Sequence, residues 1–183
     1  MTTPRLDAPA VITISGIMAA GKSTVAELLA AEFARSVHVR GDLFRRLIVN
    51  GRAPIRPGFP GEGREQLRLR HRLTAVAADL YAAAGFTVVV QDVLAGAFLR
   101  EYLQQVQHRP HFLVLLMPRP EVVADRERGR GKTGYGDGWT VEDLDRDFRS
   151  ELPAHGLRLD TSAMTAEETV REILARYQDE ALL

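Results

Sequence analysis

The 183-residue chain contains no cysteine, which excludes disulfides, thiol nucleophiles and cysteine-ligated metal centres. It has no net charge, with 24 basic residues against 24 acidic ones, so no global field draws it to nucleic acid or an anionic membrane. Aromatic residues make up only 7%, too few for a channel that stacks the bases of a single strand. No apolar run approaches membrane-spanning length, and the opening segment MTTPRLDAPA has no apolar signal region. A soluble cytoplasmic protein is expected, with neither membrane nor nucleic acid as partner and with a monomer or homodimer as its state. Lysine is scarce as well: Lys22 and Lys132 stand alone, and every other basic residue is arginine.

What is present is a chain that is 45% hydrophobic, enough to bury a real core. Its length suits one domain, 1–183, and there is no internal repeat or dividing linker. Strand-like runs at 11–15 (VITIS), 36–40 (SVHVR), 86–91 (FTVVVQ), 111–117 (HFLVLLM) and 157–160 (LRLD) alternate with stretches of helical spacing. Helices are expected at 22–34, 42–49, 64–84, 97–106, 121–128, 140–152 and 165–177, with Asp42, Thr140 and Thr165 as candidate caps. Two segments read as loops. NGRAPIRPGFPGEG holds four glycines and three prolines, and GRGKTGYGDG holds five glycines in ten residues. Alternating strands and helices imply an α/β fold: a five-stranded parallel sheet with helices on both faces.

The stretch GIMAAGKST fits G-x-x-x-x-G-K-[ST] from Gly16 to Ser23, after a strand and at the start of a helix. Glycines at Gly16 and Gly21 let the backbone turn its N–H groups toward a phosphate, and the helix N-terminus adds positive potential. Gly16, Ala19, Ala20, Gly21, Lys22, Ser23 and Thr24 are therefore the expected nucleotide-binding set. Lys22 would reach the β- and γ-phosphates, Ser23 would hold Mg²⁺, and Thr24 would lie on the helix surface or at the α-phosphate. ATP and Mg²⁺ are the cofactors this loop calls for.

In parallel sheets ligands bind at the carboxyl ends of strands. Asp42 follows the second strand and Asp92 ends the third. Asp42 is the candidate general base toward an acceptor hydroxyl, with a helix cap as its plain alternative. Asp92 has a Walker-B-like setting, as a metal or acceptor ligand or as a satisfied strand-end carboxylate. Arg126, Arg128, Arg130 and Lys132 crowd into the second glycine-rich segment, about 126–140. There a mobile lid would bring charge to the transferring phosphoryl group and exclude water. On a continuous helix Arg126 and Arg130 would share a face. His38, His108, His111 and His155 show no ligand spacing, and Tyr135 and Trp139 read as packing at the lid base.

Together GIMAAGKST, Gly41–Asp42, VVVQDV, Arg126 with Arg130, and LRLDTS resemble the small-molecule kinase branch of P-loop proteins, AAA-type in class. This is the group holding the chloramphenicol phosphotransferase-like and gluconate-kinase-like proteins. The resemblance implies strand order 2-3-1-4-5, Asp42 as catalytic base, Arg126 and Arg130 as lid arginines, and Thr161 and Ser162 near adenine. It implies that Asp42, Arg45, Asp92 and the loop 51–63 contact the acceptor, within an acceptor-side region of about 42–84. The expected activity is ATP-dependent transfer of the γ-phosphate to a hydroxyl of a sugar-like, nucleoside-like or antibiotic small molecule. The alternatives are a nucleotide-binding regulatory ATPase and a polynucleotide 5′-hydroxyl kinase. No N/T-K-x-D motif is present to read guanine.

Overall fold

The computed structural model describes residues 8–129, 135 and 138–183. Its elements run β1 (Val11–Ser15), α1 (Lys22–Ala31), β2 (Ser36–Arg40), α2 (Asp42–Arg46), α3 (Glu62–Ala83) and β3 (Thr87–Asp92). They continue with α4 (Ala97–Gln105), β4 (His111–Leu116), α5 (Pro120–Arg128), α6 (Val141–Ser150), β5 (Leu157–Leu159) and α7 (Ala166–Glu180). The five strands form one parallel sheet in the order β2-β3-β1-β4-β5, as expected.

β1, β3 and β4 are buried along their whole length, which is why they read as near-continuous apolar runs. Ile12, Ile14, Leu113 and Leu115 are fully covered, and Leu29, Tyr102, Phe148 and Tyr177 close the core from the helices. Each such side chain stabilises the fold by roughly 1.5–3 kcal/mol relative to exposure. Polar groups among them pair with one another: Thr13 Oγ1 lies 2.9 Å from His111 Nε2 and 3.4 Å from the Tyr102 hydroxyl, and His111 Nδ1 is left without a hydrogen-bond partner. Burial, aided by Arg109, pushes His111 down to about 3, so its imidazole is neutral.

Helix ends follow local chemistry. Thr140 accepts from the Asp143 N–H, and Thr165 forms a full capping box with Glu168. α1 stops at Ala31, short of the expected 34, because Ser36 Oγ takes the Ala30 carbonyl at 2.5 Å. α2 stops at Arg46 and leaves Leu47 and Val49 exposed. Asp42 does not cap α2. Gly41 occupies the cap position, and Asp42 is the first helical residue with its carboxylate turned elsewhere.

Register sets the site. Ser15, Asp92 and Leu115 are aligned across β1, β3 and β4. The phosphate-type loop therefore leaves the sheet beside the carboxyl end of β3. The β2–α2 turn is tied to the same place by the Gly41 N–H donating to the Gln91 carbonyl at 3.1 Å.

Candidate active site

The loop between β1 and α1 is wound tightly. Ala19 has φ 63° and Gly21 has φ 95°; Gly21 caps α1 with no side chain in the way of a ligand. Gly16 packs against the Leu116 carbonyl, which a Cβ would approach to 2.7 Å. Lys22 is 7% exposed, and its ammonium donates to the Ile17 carbonyl within the loop at 2.7 Å. Ser23 Oγ donates to Gln91 Oε1 at 3.4 Å. This is a compact basic cradle at a helix N-terminus, the arrangement that receives phosphate oxygens.

The cradle forms one wall of a cavity of about 550 Å³. Gly21, Lys22, Ser23 and Thr24 line one side, and Arg40, Asp42, Arg46, Arg70 and Asp92 line the other. Arg126 reaches in from α5. Asp42 accepts from Arg46 at 2.8 Å through Oδ2, a one-turn pair on α2. Its Oδ1 accepts no hydrogen bond; Arg40 Nε stands 3.9 Å away, too far to donate. Asp42 thus keeps one acceptor oxygen without a donor beside the phosphate cradle.

Asp92 is held differently. Its carboxylate is fully covered and gripped by Arg70 in two-pronged fashion, Nε to Oδ2 at 2.9 Å and Nη2 to Oδ1, while the Val93 N–H adds 2.6 Å to Oδ1. A place in a metal's inner shell would require that pair to open. Desolvation lowers Arg70 to about 10, with Arg45 and Arg46 adding to the fall and Asp42 opposing it; the guanidinium stays charged at neutral pH. His71 Nε2 lies 3.9 Å from Asp92, yet burial and Arg70 push it down to about 3, so it contributes no ionic partner. Gly41 is required here for close approach. A Cβ at this position would sit 2.7 Å from Asp92 Cγ and 3.0 Å from Thr74 Oγ1, colliding with the carboxylate itself. The Gly41–Asp42 pair is therefore a space for Asp92 followed by a carboxylate for the cavity.

Arg45 does not line the cavity; it donates to the Ala53 carbonyl and ties α2 to the loop 51–63. Arg126 donates to the Thr161 carbonyl at 2.8 Å. Thr161 is 3% exposed, and its hydroxyl has no hydrogen-bond partner. It lines a neighbouring cavity of about 260 Å³ with Ala20, Gly21, Thr24 and Arg126. Ser162 is occupied in holding its turn: Oγ donates to Asp160 at 2.5 Å and accepts from the Arg119 N–H at 2.8 Å. Asp160 is correspondingly held below the ordinary carboxylate range by those Ser162 hydrogen bonds. Arg130 and Lys132 lie outside the described residues. Among the described residues α5 runs from Pro120 to Arg128. Tyr135 donates to the Met18 carbonyl at 2.9 Å and Trp139 to the Ile55 carbonyl at 3.0 Å.

Arg70 stands among the basic residues of LRLRHR (67–72), which the sequence does not separate by role. Helical spacing held a signal of direction alone, because at 100° per residue Arg70 projects away from Arg68 and Arg72. Gln91 had no comparable signal. Among the described residues, no group of three or more His, Asp or Glu side chains stands together as a metal cluster, and no helix is long and apolar enough to cross a membrane. The oxygens of Ser23 and Gln91 beside a phosphate cradle still suit Mg²⁺, which takes few protein ligands and several phosphate or water oxygens.

A phosphate loop at the end of a central strand, with carboxylates on the neighbouring strand ends of a 2-3-1-4-5 sheet, is the P-loop kinase fold. The chain belongs to the AAA domain family, whose model matches residues 12–150. Solved structures of similar fold include a sugar kinase from Janibacter sp. HTCC2649 (19% identity, 95% of this chain and 96% of that one, TM-score 0.69). They also include the tunicamycin resistance protein of Deinococcus radiodurans (21%, 96% and 98%, 0.62) and a gluconokinase from Sinorhizobium meliloti 1021 (21%, 91% and 90%, 0.60). No curated protein sequence matches the chain.

Proposed function

We propose that the protein is a single-domain, ATP- and Mg²⁺-dependent phosphotransferase that moves the γ-phosphate to a hydroxyl of a small molecule. One observation carries this reading. The Lys22 cradle and the Asp42 carboxylate line the same cavity of about 550 Å³, large enough for a triphosphate end and a small acceptor.

In this reading the loop amides and the α1 N-terminus hold the β- and γ-phosphates, and Lys22 offsets the charge on them. Ser23 and Gln91 would hold Mg²⁺, which supplies further charge neutralisation across the phosphate oxygens when bound. Asp42 accepts the proton of the acceptor hydroxyl as the new O–P bond forms and the bond to the ADP oxygen breaks. Arg46 keeps that carboxylate aimed by pairing with its Oδ2. Arg126, with Arg130 and Lys132 of the lid, supports the charge of the transferring group. Asp92 orients Arg70 at the acceptor wall, and Arg45 sets the loop that borders it. Thr161 meets the adenosine portion through its unpartnered hydroxyl, and Ser162 fixes the turn that presents it. The sheet of basic side chains on the acceptor side, Arg40, Arg46 and Arg70, suits a sugar-like, nucleoside-like or antibiotic acceptor rich in oxygen atoms.

The test is ADP formation from ATP against panels of sugars, nucleosides, aminoglycosides and phenicols. Acceptor-dependent turnover with a phosphorylated product is expected. Hydrolysis that no acceptor accelerates would replace this reading with a regulatory ATPase.

A further inference from the structure

Helix α3 is built inside out. Its buried face is mostly small or polar: Gln66, His71, Thr74, Ala75, Ala78 and Ala82, with Leu67 the one leucine among them. Its other large apolar residues face solvent, with Leu69 48% exposed, Leu73 39%, Val76 51% and Leu80 68%. A surface helix normally turns that stripe to the core. The spacing of the four residues is 4-3-4, the a/d repeat of a coiled-coil seam rather than scattered surface apolarity. Helix α2 packs against α3 and adds Leu43, 46% exposed, with Leu47, 73% exposed, just past its end.

We infer that this face is a homodimer interface in which α3 packs antiparallel against α3 of a second copy. Three features favour a second copy over another partner. The stripe is self-complementary about a two-fold axis passing between Thr74 and Ala75. Leu69 then meets Leu80 of the other copy, and Leu73 meets Val76. Charge matches as well: Arg72 is exposed, and Asp79, one heptad on, is fixed at the same edge of the stripe by the Gln107 and His108 N–H groups, so the antiparallel arrangement brings Arg72 of each copy toward that held carboxylate of the other. The area is also adequate. The six apolar side chains present on the order of 600 Å², and a polar rim brings this near the ~800 Å² each partner of a stable interface buries. A bare apolar patch of that size is at the upper end of what soluble monomers expose. The interface would leave the catalytic cavity open, since Arg70 points from the flank of α3 to Asp92.

The test is analytical ultracentrifugation of the full chain from about 1 to 100 μM, with Val76→Glu and Arg72→Asp beside it. The wild type should sediment as a dimer. Val76→Glu should be monomeric with unchanged circular dichroism, because that side chain supports no core packing. Arg72→Asp should weaken dimerisation at least tenfold at low salt and recover partly at high salt. A wild type that stays monomeric at 100 μM overturns the inference, as does a Val76→Glu variant that dimerises like the wild type. Because sedimentation needs no substrate, this outcome is independent of the phosphotransferase reading.

Discussion

Removing Asp92 should cost more stability than removing any exposed charge in the molecule. Its side chain is fully covered and that of Arg70 is 12% exposed, so Asp92→Ala strands a buried guanidinium whose remaining charged neighbours are Asp42, which attracts it, and Arg45 and Arg46, which repel it. Breaking such a pair typically costs ~3–5 kcal/mol, a large part of the ~5–15 kcal/mol that holds a domain together. At roughly 2–4 °C per kcal/mol for a chain of this size, the melting temperature should fall by about 6–20 °C. Arg70→Met should be similarly damaging, because it leaves the Asp92 carboxylate buried beside a neutral His71. The double variant Asp92→Leu with Arg70→Met should recover to within ~1 kcal/mol of wild type, since an apolar pair of like volume carries no desolvation penalty. Urea unfolding of wild type, Asp92→Leu, Arg70→Met and the double variant gives the cycle, with Asp92→Ala measured beside it. An Asp92→Ala loss under 1 kcal/mol, or a double variant no better than the singles, would refute the account of a buried, mutually dependent pair.

Gly41→Ala should destabilise the fold and impair turnover together, because the added methyl meets the Asp92 carboxylate and displaces the turn carrying Asp42; thermal melts and initial rates would show it. Thr161→Val should leave the melting temperature unchanged or slightly raised, since the hydroxyl has no partner, while weakening ATP binding several-fold by calorimetry. His71 and His111 are both held near 3 against 6.5 unfolded, so their contribution is whole above pH 6.5 and falls as pH drops toward 3. Between pH 4.5 and 6 each should add up to ~1.4 kcal/mol per pH unit to the slope of unfolding free energy. His111→Gln should flatten that slope by about half of the histidine part. Arg126→Ala should lower turnover more than it weakens ATP binding, and equal losses would assign Arg126 to nucleotide binding alone.

The sheet was legible because β1, β3 and β4 are buried on both faces and so carry unbroken apolar runs such as VVVQD and HFLVLL. The phosphate loop was legible because backbone winding there demands particular residues at fixed spacing. The acceptor side was less so. Asp92 was visible as a strand-end carboxylate, but its grip on Arg70 joins residues 22 positions apart, and no local pattern encodes that pairing. Arg45 and Arg46 are adjacent in sequence, yet one serves the loop at Ala53 and the other the Asp42 carboxylate, a division set by the helix direction of α2. The apolar seam on α3 is indistinguishable in sequence from a core-facing stripe. Its spacing is as helical as a core face, and only burial shows that the core took the alanines instead.

Asp42 as the base is tested by single-turnover phosphoryl transfer by wild type and Asp42→Asn, with ATP affinity measured on the same samples. With an accepted hydroxyl substrate, transfer should fall by about 10²–10⁴-fold while the dissociation constant for ATP stays within a few-fold. Transfer near the wild-type rate in Asp42→Asn would contradict Asp42 as the base and remove the cavity's second half from the mechanism.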